Sequence, residues 1–286
     1  MKANHARKVS EQAFNELVEA GKSDNLIAYL KAMGRFHKYS VGNAMLIHFQ
    51  YPKATHVAGF RTWQRFGRYV KKGEHGIAIL APIVRHKKLL PGDNEKDNNE
   101  QLEKEVLVAF KTAYVFDINQ TNGKSLPEFA RVQGDPANYI EGLKDYIAEQ
   151  GIKIEYRSDI GLAEGASCGG TIKVKDGLSA AEQFSVLTHE LAHEMLHKDG
   201  DNKLKSKKIK ETEAEAIAFV VCQGIGLDVN TAGSDYIQLY DGDKKTLLES
   251  LERIQETASE ILAAILPNSD SESRTAGGKP CAAVAA

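Results

Sequence analysis

The sequence of 286 residues is poor in cysteine, has a single tryptophan and carries a formal net charge of only −2. Its three cysteines, Cys168, Cys222 and Cys281, form no C-x-x-C pair, which excludes a disulfide framework and suits a reducing compartment. The longest unbroken apolar run, Ile77 to Val84, is much shorter than the ~20 residues that span a bilayer. The N-terminal residues contain no apolar signal core. These absences predict a cytoplasmic protein without a membrane partner.

The periodicity of apolar residues predicts an α+β protein of two domains. In residues 1–130, helices are predicted through residues 8–50, with Ser40 as an N-cap, and strands in GIAILAPIV and VLVAFKTAYVFDI. The acid-rich stretch at residues 90–105 lacks periodicity and predicts an exposed insertion. Residues 131–266 predict a mostly helical domain with a small sheet built from IKIEY and TIKV. The last segment, residues 267–286, is predicted to be a disordered tail.

The stretch THELAHEMLH, which begins at Thr188, places two histidines four residues apart with a glutamate between them. Positions i and i+4 share a helix face, about 6 Å apart along the axis, so His189 and His193 can both reach one Zn²⁺. The pattern H-E-x-x-H on a helix is typical of metallopeptidases, with Glu190 in the position of the general base. A capping box, S-x-x-E, just upstream predicts where this helix begins.

A third metal ligand is predicted from the following helix, which carries the sequence ETEAE. There, Glu211 and Glu215 share one helix face while Glu213 points away. An H-E-x-x-H motif with a downstream E-x-x-x-acid is the gluzincin arrangement, in which the second acid hydrogen-bonds a ligand histidine. We therefore predict His189, His193 and Glu211 as zinc ligands and Glu215 as the partner of a ligand histidine. Glu213 is the alternative third ligand.

Other polar residues of this half receive weaker assignments. His197 lies two turns, about 12 Å, beyond the first histidine and is predicted to be a surface residue or a partner of the ligands. His197 and Tyr236 are candidates for stabilising an oxyanion. Cys168 and Cys222 are predicted to be small core residues, because the histidine and carboxylate set is already complete. A chance H-E-x-x-H on a charged helix stays open as an alternative, as does a metal that serves only as a structural staple.

The N-terminal half concentrates positive charge. Between Arg35 and His75 there are eight lysines or arginines against one acid, Glu74, and aromatic residues are interleaved with them. Cations that follow phosphates and rings that stack on unpaired bases are what binding of single-stranded nucleic acid requires. A solvated basic face above core aromatics is the alternative, with Trp63 as a core anchor.

Together these motifs resemble a known family. The segments YS-x-x-N, GR-x-VKKGE-x-GI and VFD-x-x-QT-x-G resemble the N-terminal domain of ArdC-type antirestriction proteins. The C-terminal segments GGTIKV, THELAHEMLH and KETEAEAIAFVV resemble the zincin-like domain of the same proteins, which is related to the ImmA/IrrE metallopeptidases. The resemblance implies a non-sequence-specific binder of single-stranded DNA joined to a zinc metallopeptidase fold. Its implied role is to protect incoming plasmid or phage DNA from restriction.

Under this hypothesis single-stranded DNA contacts a set of polar, basic and aromatic residues in the N-terminal half, namely Lys38, Tyr39, Ser40, Asn43, Arg61, Trp63, Arg65, Arg68, Lys71 and Lys72. The strand TIKV is predicted to be an edge that pairs with an extended protein substrate. Two alternatives stay open. One is a regulatory zinc protease that cleaves a repressor or a restriction subunit. The other is a DNA-coating protein whose zincin domain binds zinc without catalysing a reaction.

Overall fold

The computed structural model describes residues 23–88, 103–124, 136–160, 163–197, 207–229 and 244–266, and it confirms the α+β class. Its helices are α1 (Ser23–Arg35), α2 (Val41–Gln50), α3 (Phe60–Arg65), α4 (Ala137–Glu149), α5 (Ala180–His197), α6 (Lys207–Gly224) and α7 (Lys244–Ile265). Its strands are β1 (Val57–Gly59), β2 (Arg68–Val70), β3 (Ile77–Lys88), β4 (Glu103–Asp117), β5 (Thr121–Gly123), β6 (Lys153–Arg157), β7 (Gly165–Ser167) and β8 (Thr171–Lys175). None of the helices described is long and apolar enough to cross a bilayer.

The N-terminal half is built on a three-stranded antiparallel sheet with the order β1-β4-β3. The sequence VLVAFKTAYVFD lies in one continuous strand, β4, which pairs with β3 as far as Val115 apart from a bulge at Ile83. Because β4 begins at Glu103, the insertion predicted for residues 90–105 is too long by three residues. Its remaining part lies outside the described residues. Helix α2 begins after Ser40, as predicted, although the Ser40 side chain makes no cap hydrogen bond.

Helix α2 lies against the outer edge of β3 and pairs with its backbone. The Asn43 side-chain amide donates to the carbonyl oxygen of Leu80, and its oxygen accepts from the Leu80 N–H, at 2.9 and 2.8 Å. About two turns further on, the Gln50 amide makes the same two bonds with Ala78. Two side-chain amides therefore make the backbone hydrogen bonds that a neighbouring strand would make at this edge.

A second small sheet joins two of the distinctive motifs. Strand β2 pairs with β5, so that Arg68 lies opposite Gly123. A Cβ on Gly123 would lie 2.3 Å from the carbonyl oxygen of Gly67, and the φ angle of Gly123 is +137°, so only glycine fits there. The Gln120 side chain donates to the backbone carbonyl of His75, which ties the loop after β2 to the same corner.

The C-terminal half contains a three-stranded sheet with the order β6-β8-β7, in which β8 pairs parallel with β6 and antiparallel with β7. The strand TIKV is β8, the central strand, so the prediction that it is a free edge is wrong. Sequence pattern alone did not show that the short β7 adds to its other side. Helix α5 begins directly after Ser179, whose N–H and hydroxyl both donate to Glu182 Oε2 at 2.8 and 2.7 Å. The predicted capping box is confirmed.

One apolar core runs through both halves. Helix α1 packs on α6, and the backbones approach so closely that a Cβ on Gly34 would lie 2.6 Å from the Val220 carbonyl oxygen. Helix α7 packs on α6 and buries Leu251, Ile254 and Ile261 fully on one face. The proposed domain boundary at residue 130 and the tail at residues 267–286 lie outside the described parts of the chain.

Candidate metal centre

Helices α5 and α6 run antiparallel and bring three potential metal ligands together. The Nε2 atoms of His189 and His193 lie 3.1 Å apart. Glu211 Oε2 lies 3.5 Å from the first and 3.4 Å from the second. One ligand atom from each of the three residues falls within 4.8 Å of the others. Glu211 thus occupies the position that the helix-face argument gave it.

The donor set fits a divalent cation. Burial, and then the neighbouring His193, lower the pKa of His189, so this imidazole is neutral at pH 7 and its lone pair is available to a metal. Two imidazole nitrogens at hydrogen-bond distance from each other, with a carboxylate oxygen beside both, form three sides of a coordination site. Two histidines and one glutamate are also the ligands of known catalytic zinc sites, which keep a further position open.

Glu190 lies beside this group in a confined position. Its residue exposure is 8%, and strand β7 passes so close that a Cβ on Gly165 would lie 2.8 Å from Glu190 Oε1. Burial and the charge of Glu211 raise the pKa of Glu190 to about 7, while a hydrogen bond from the Ser167 backbone acts in the opposite direction. A cation at the centre would also favour the ionised carboxylate.

Glu213, the alternative ligand, lies in a different environment. Its side chain is fully buried and points toward α7, where Oε1 accepts from the Ser250 hydroxyl and from Arg253, each at 2.7 Å. Glu213 Oε2 lies 3.7 Å from Nε2 of His197, whose side chain is only 5% exposed and whose ring packs on that of His193. His197 is therefore an interior residue that touches the candidate ligand His193. Glu213 is part of a buried polar cluster and does not reach the group of three candidate ligands.

Sequence reasoning missed Glu194, which follows the second histidine directly. It is 5% exposed and accepts hydrogen bonds from the Ser167 hydroxyl at 2.6 Å and the Gly170 N–H at 2.8 Å. These bonds hold β7 and the turn before β8 against α5. The signal for it was the run H-E-x-x-H-E, in which a second acid falls on the sheet side of the helix.

The remaining predicted residues of this half lie at different distances from the centre. Glu215 lines the cleft, and its charge slightly opposes the lowering of the pKa of His189 by burial. Cys222 is buried, as predicted, and burial raises the pKa of its thiol to about 12. Cys168 is exposed, so the prediction of a core position is wrong for this residue. Tyr236 lies outside the described residues.

The metal centre sits at the middle of an open cleft between α5, α6 and β7. One end, which together with the metal centre encloses about 360 Å³, is formed by Val186, Ala218, Phe219 and Val229 and by the polar residues Glu164, Ser185 and Glu215. The other end is lined by Ser167, Glu194, His197, Lys207 and Lys210. The residues common to both ends are Gly165, His189, Glu190 and Glu211. A bound chain must therefore pass the metal centre to reach from one end to the other.

In the N-terminal half, five of the residues predicted to bind DNA carry exposed cationic side chains, namely Lys38, Arg61, Arg65, Lys71 and Lys72. Several of the predicted residues make hydrogen bonds within the protein. Arg68 donates to the Thr121 hydroxyl and carbonyl, and Lys71 Nζ donates to the Asn119 carbonyl at 2.7 Å. Asn43 pairs with β3, as described above. The half-buried Tyr39 has its hydroxyl 3.4 Å from the Val57 carbonyl oxygen, and Ser40 precedes α2.

Trp63 is an interior residue. It is 2% exposed, and its indole N–H donates to the Phe116 carbonyl at 2.8 Å. A ring in this position cannot stack on a base, so the assignment of Trp63 as a DNA-stacking residue is corrected to the core anchor that was its alternative. The exposed rings of the basic segment are instead Phe60, Phe66 and Tyr69, which are 48%, 48% and 59% exposed.

Comparison with known families identifies the N-terminal half. Residues 10–116 match the sequence profile of the N-terminal domain of anti-restriction factor ArdC. Residues 10–116 form an ArdC-type N-terminal domain. The domain match ends one residue before the end of β4, so the metal centre lies outside it. The likeness of the C-terminal half to a metallopeptidase therefore rests on the geometry of α5, α6 and β7.

Longer similarities extend across most of the chain. An uncharacterized protein of Bacillus anthracis is 28% identical over 281 residues, which cover 85% of this chain and 48% of that protein. The chain thus spans about half the length of the curated relative that it matches. The metal-free crystal structure of the antirestriction protein ArdC from plasmid R388 aligns at 20% identity over 79% of this chain and 84% of that one, with a TM-score of 0.49. The Mn(II)-bound structure aligns at 17% identity over 84% and 98%, with a TM-score of 0.46.

Proposed function

We propose that this ArdC-type protein is a metal-dependent peptidase whose N-terminal half binds single-stranded DNA, and that it acts in antirestriction. The observation that carries the peptidase proposal is the position of Glu190. Its carboxyl group lies in the same cleft as His189, His193 and Glu211, and it is held between α5 and β7. A structural metal site needs the ligands but has no need of an unligated carboxylate beside an open cleft.

His189, His193 and Glu211 would hold the metal, and two imidazoles with one carboxylate favour Zn²⁺. When bound, the cation supplies Lewis acidity that polarises a substrate carbonyl and makes water more acidic. Glu190 accepts a proton from water at its carboxylate and delivers it to the leaving amine, which is the exchange that a general base with a pKa near neutrality performs well. The Ser167 N–H bond keeps the carboxylate in place between these two proton transfers.

The substrate strand is proposed to lie along β7. Because β8 is central in its sheet, β7 offers the free edge nearest the metal centre. An extended peptide that pairs with this edge would pass Gly165, whose lack of a side chain lets Glu190 pack directly against β7. The apolar side chains of Val186, Ala218 and Phe219 would then contact one of its side chains.

The peptidase proposal is tested with Glu190→Gln, which removes the proton acceptor and keeps the shape of the side chain. We expect wild type and this variant to bind one equivalent of zinc, and only wild type to cleave a quenched-fluorescence peptide library. Glu256→Gln is the matched control, because Glu256 is an exposed glutamate on α7. Equal cleavage by Glu190→Gln and wild type would rule out this mechanism.

The same variant separates the biological alternatives. If Glu190→Gln loses protection of DNA from restriction but still binds DNA, proteolysis is part of the antirestriction mechanism, as a regulatory protease requires. If protection survives the substitution, the protein acts by coating DNA, and its metal centre serves another purpose.

The DNA-binding part rests on the exposed cations Arg61, Arg65 and Lys72 in a segment with one acid. Binding that depends on phosphate contacts must weaken steeply as salt rises, because each contact releases counterions. We expect affinity for oligo-dT to fall on a straight line in a plot of log affinity against log salt concentration. Phosphate contacts weaken strongly between about 50 and about 300 mM salt. An affinity that does not change over this range would contradict the proposal.

A further inference from the structure

Strand β4 carries aromatic side chains on the face that points away from the core. Successive residues of a strand point to opposite faces, and β4 alternates accordingly. Val115 and Asp117 are buried on one face. On the other face lie Phe110 at 41% exposure, Tyr114 at 50% and the half-buried Phe116.

A fourth ring extends this row beyond the strand. Phe60, the first residue of α3, is 48% exposed and meets Phe116 edge to face, with 6.4 Å between ring centroids. Gly76 supplies the room beneath the rings, because a Cβ there would lie 3.0 Å from Tyr114 Cβ and 3.1 Å from the Phe116 ring. We call Phe60, Phe116, Tyr114 and Phe110 the aromatic row.

The spacing of the aromatic row suits unpaired nucleotides. Alternate residues of a strand are about 7 Å apart, and the distance from Phe110 to Phe116 along β4 is about 20 Å. In paired DNA each base is stacked on the next at 3.4 Å, so the base faces are covered and a duplex has none to offer these rings. A single strand in an extended form exposes every base to a row of this kind.

The charge around the row is positive. Arg61 and Arg65 are exposed on α3, four residues apart and therefore on one face of the helix whose first residue is Phe60. The strand segment VLVAFKTAYVF, residues 106–116, contains no acid. An apolar protein partner would gain nothing from these cations, whereas a polyanion with flat apolar bases is complementary to both features.

We infer that the aromatic row is the base-stacking platform for single-stranded DNA, with Arg61 and Arg65 contacting phosphates. This inference rests on the proposed DNA binding and assigns it a place on the molecule. It also replaces Trp63, the ring that sequence pattern favoured, with rings that are accessible. Sequence reasoning missed Phe110 and Tyr114 because they lie far beyond the basic segment in sequence and come close to it through the pairing of β4 with β1 and β3.

The test compares ring variants on two ligands, oligo-dT and a strand of equal length that has abasic sugars and the same phosphates. We expect Phe110→Ala with Tyr114→Ala to weaken oligo-dT binding ten- to a hundred-fold, the range of roughly one to two stacked bases. The same double variant should bind the abasic strand as wild type does. Tyr114→Phe should restore most of the affinity lost in Tyr114→Ala, because it restores the ring without the hydroxyl.

Tyr156→Ala is the matched control, since Tyr156 is 43% exposed on β6 in the other half of the protein. The inference is overturned if the row variants bind oligo-dT like wild type, or if they lose the abasic strand equally. Wild type that binds no oligo-dT at low salt would overturn the DNA-binding proposal itself, and that result is visible before any variant is made. Salt-dependent wild-type binding with unaffected row variants would overturn the platform alone.

Discussion

At the scale of single residues, neighbouring glutamates of α6 have opposite roles. Glu211 is half-exposed beside the two histidines, whereas Glu213 is fully buried and bound to Ser250 and Arg253. Positions two apart on a helix face different directions, so one short sequence, ETEAE, serves both the cleft and the core.

We expect Glu211→Gln to lower zinc affinity at least tenfold with little change in thermal stability of the metal-free protein. A lost ligand should cost no less than the 10- to 100-fold that loss of an outer hydrogen-bond partner costs. Glu213→Gln should lower the thermal stability and leave the zinc affinity unchanged. It leaves the Arg253 charge without its buried partner but keeps His189, His193 and Glu211. Competition with a chromophoric chelator and a thermal melt measure the two effects, and a metal affinity lowered equally by both variants would contradict the assignment.

Asn43 belongs to a motif that resembles the DNA-binding family, yet both ends of its amide bond the backbone of Leu80. Replacing it with alanine leaves a strand N–H and C=O without these partners, which costs about 1–3 kcal/mol. We therefore expect Asn43→Ala to lower the free energy of unfolding in urea by that amount. Oligo-dT affinity at a temperature where the variant is folded should be unchanged, and a specific loss of affinity without loss of stability would show a direct role in binding.

At the scale of elements, the packing of α1 on α6 joins the two halves at Gly34. An alanine there would place its Cβ against the backbone carbonyl of Val220, which cannot move without bending α6. We expect Gly34→Ala to cost about 1–3 kcal/mol of stability, the usual cost of overpacking. Gly151→Ala is the control, since Gly151 also lies at a helix end but has no atom within 4 Å of the added Cβ and only its φ angle of +71° as a cost. A smaller loss for Gly34→Ala than for Gly151→Ala would show that the helices separate easily.

The sequence predicted elements well where the determining contacts are local. The capping box at Ser179 depends on residues within one turn of each other, and it is confirmed. The edge position of TIKV was wrong because strand order depends on β7, which is three residues long and carries no pattern. Trp63 and Cys168 were also misplaced. The type of a residue does not decide its burial when the neighbours that cover it are distant in sequence.

At the scale of the whole molecule, the continuous core makes stability depend on buried histidines in the N-terminal half. Burial lowers the pKa of His37 and, together with Arg35, that of His48 below 6.5. The folded state therefore holds these imidazoles neutral at a pH where the unfolded chain already takes up protons. Their contribution is complete above pH 6.5 and is lost as the pH falls below it.

We expect the urea midpoint of the metal-free protein to fall as the pH is lowered from about 7.5 to about 5.5, across the unfolded pKa of histidine. His37→Gln combined with His48→Gln should flatten that decline, because glutamine takes up no proton. His189 and His193 are unchanged in both proteins, so their protonation contributes equally to both pH curves. An unchanged slope in the double variant would place the pH dependence elsewhere in the chain.

The amide pairs that α2 makes with β3 also bear on how the protein behaves when it is crowded. An apolar edge strand with free backbone groups is a template on which other chains can add and begin to aggregate. Here Asn43 and Gln50 occupy the outward backbone groups of Leu80 and Ala78, and the next outward position is Pro82, which has no N–H to offer. The two side-chain amides and the proline therefore keep the strands of other chains from pairing with this apolar part of β3.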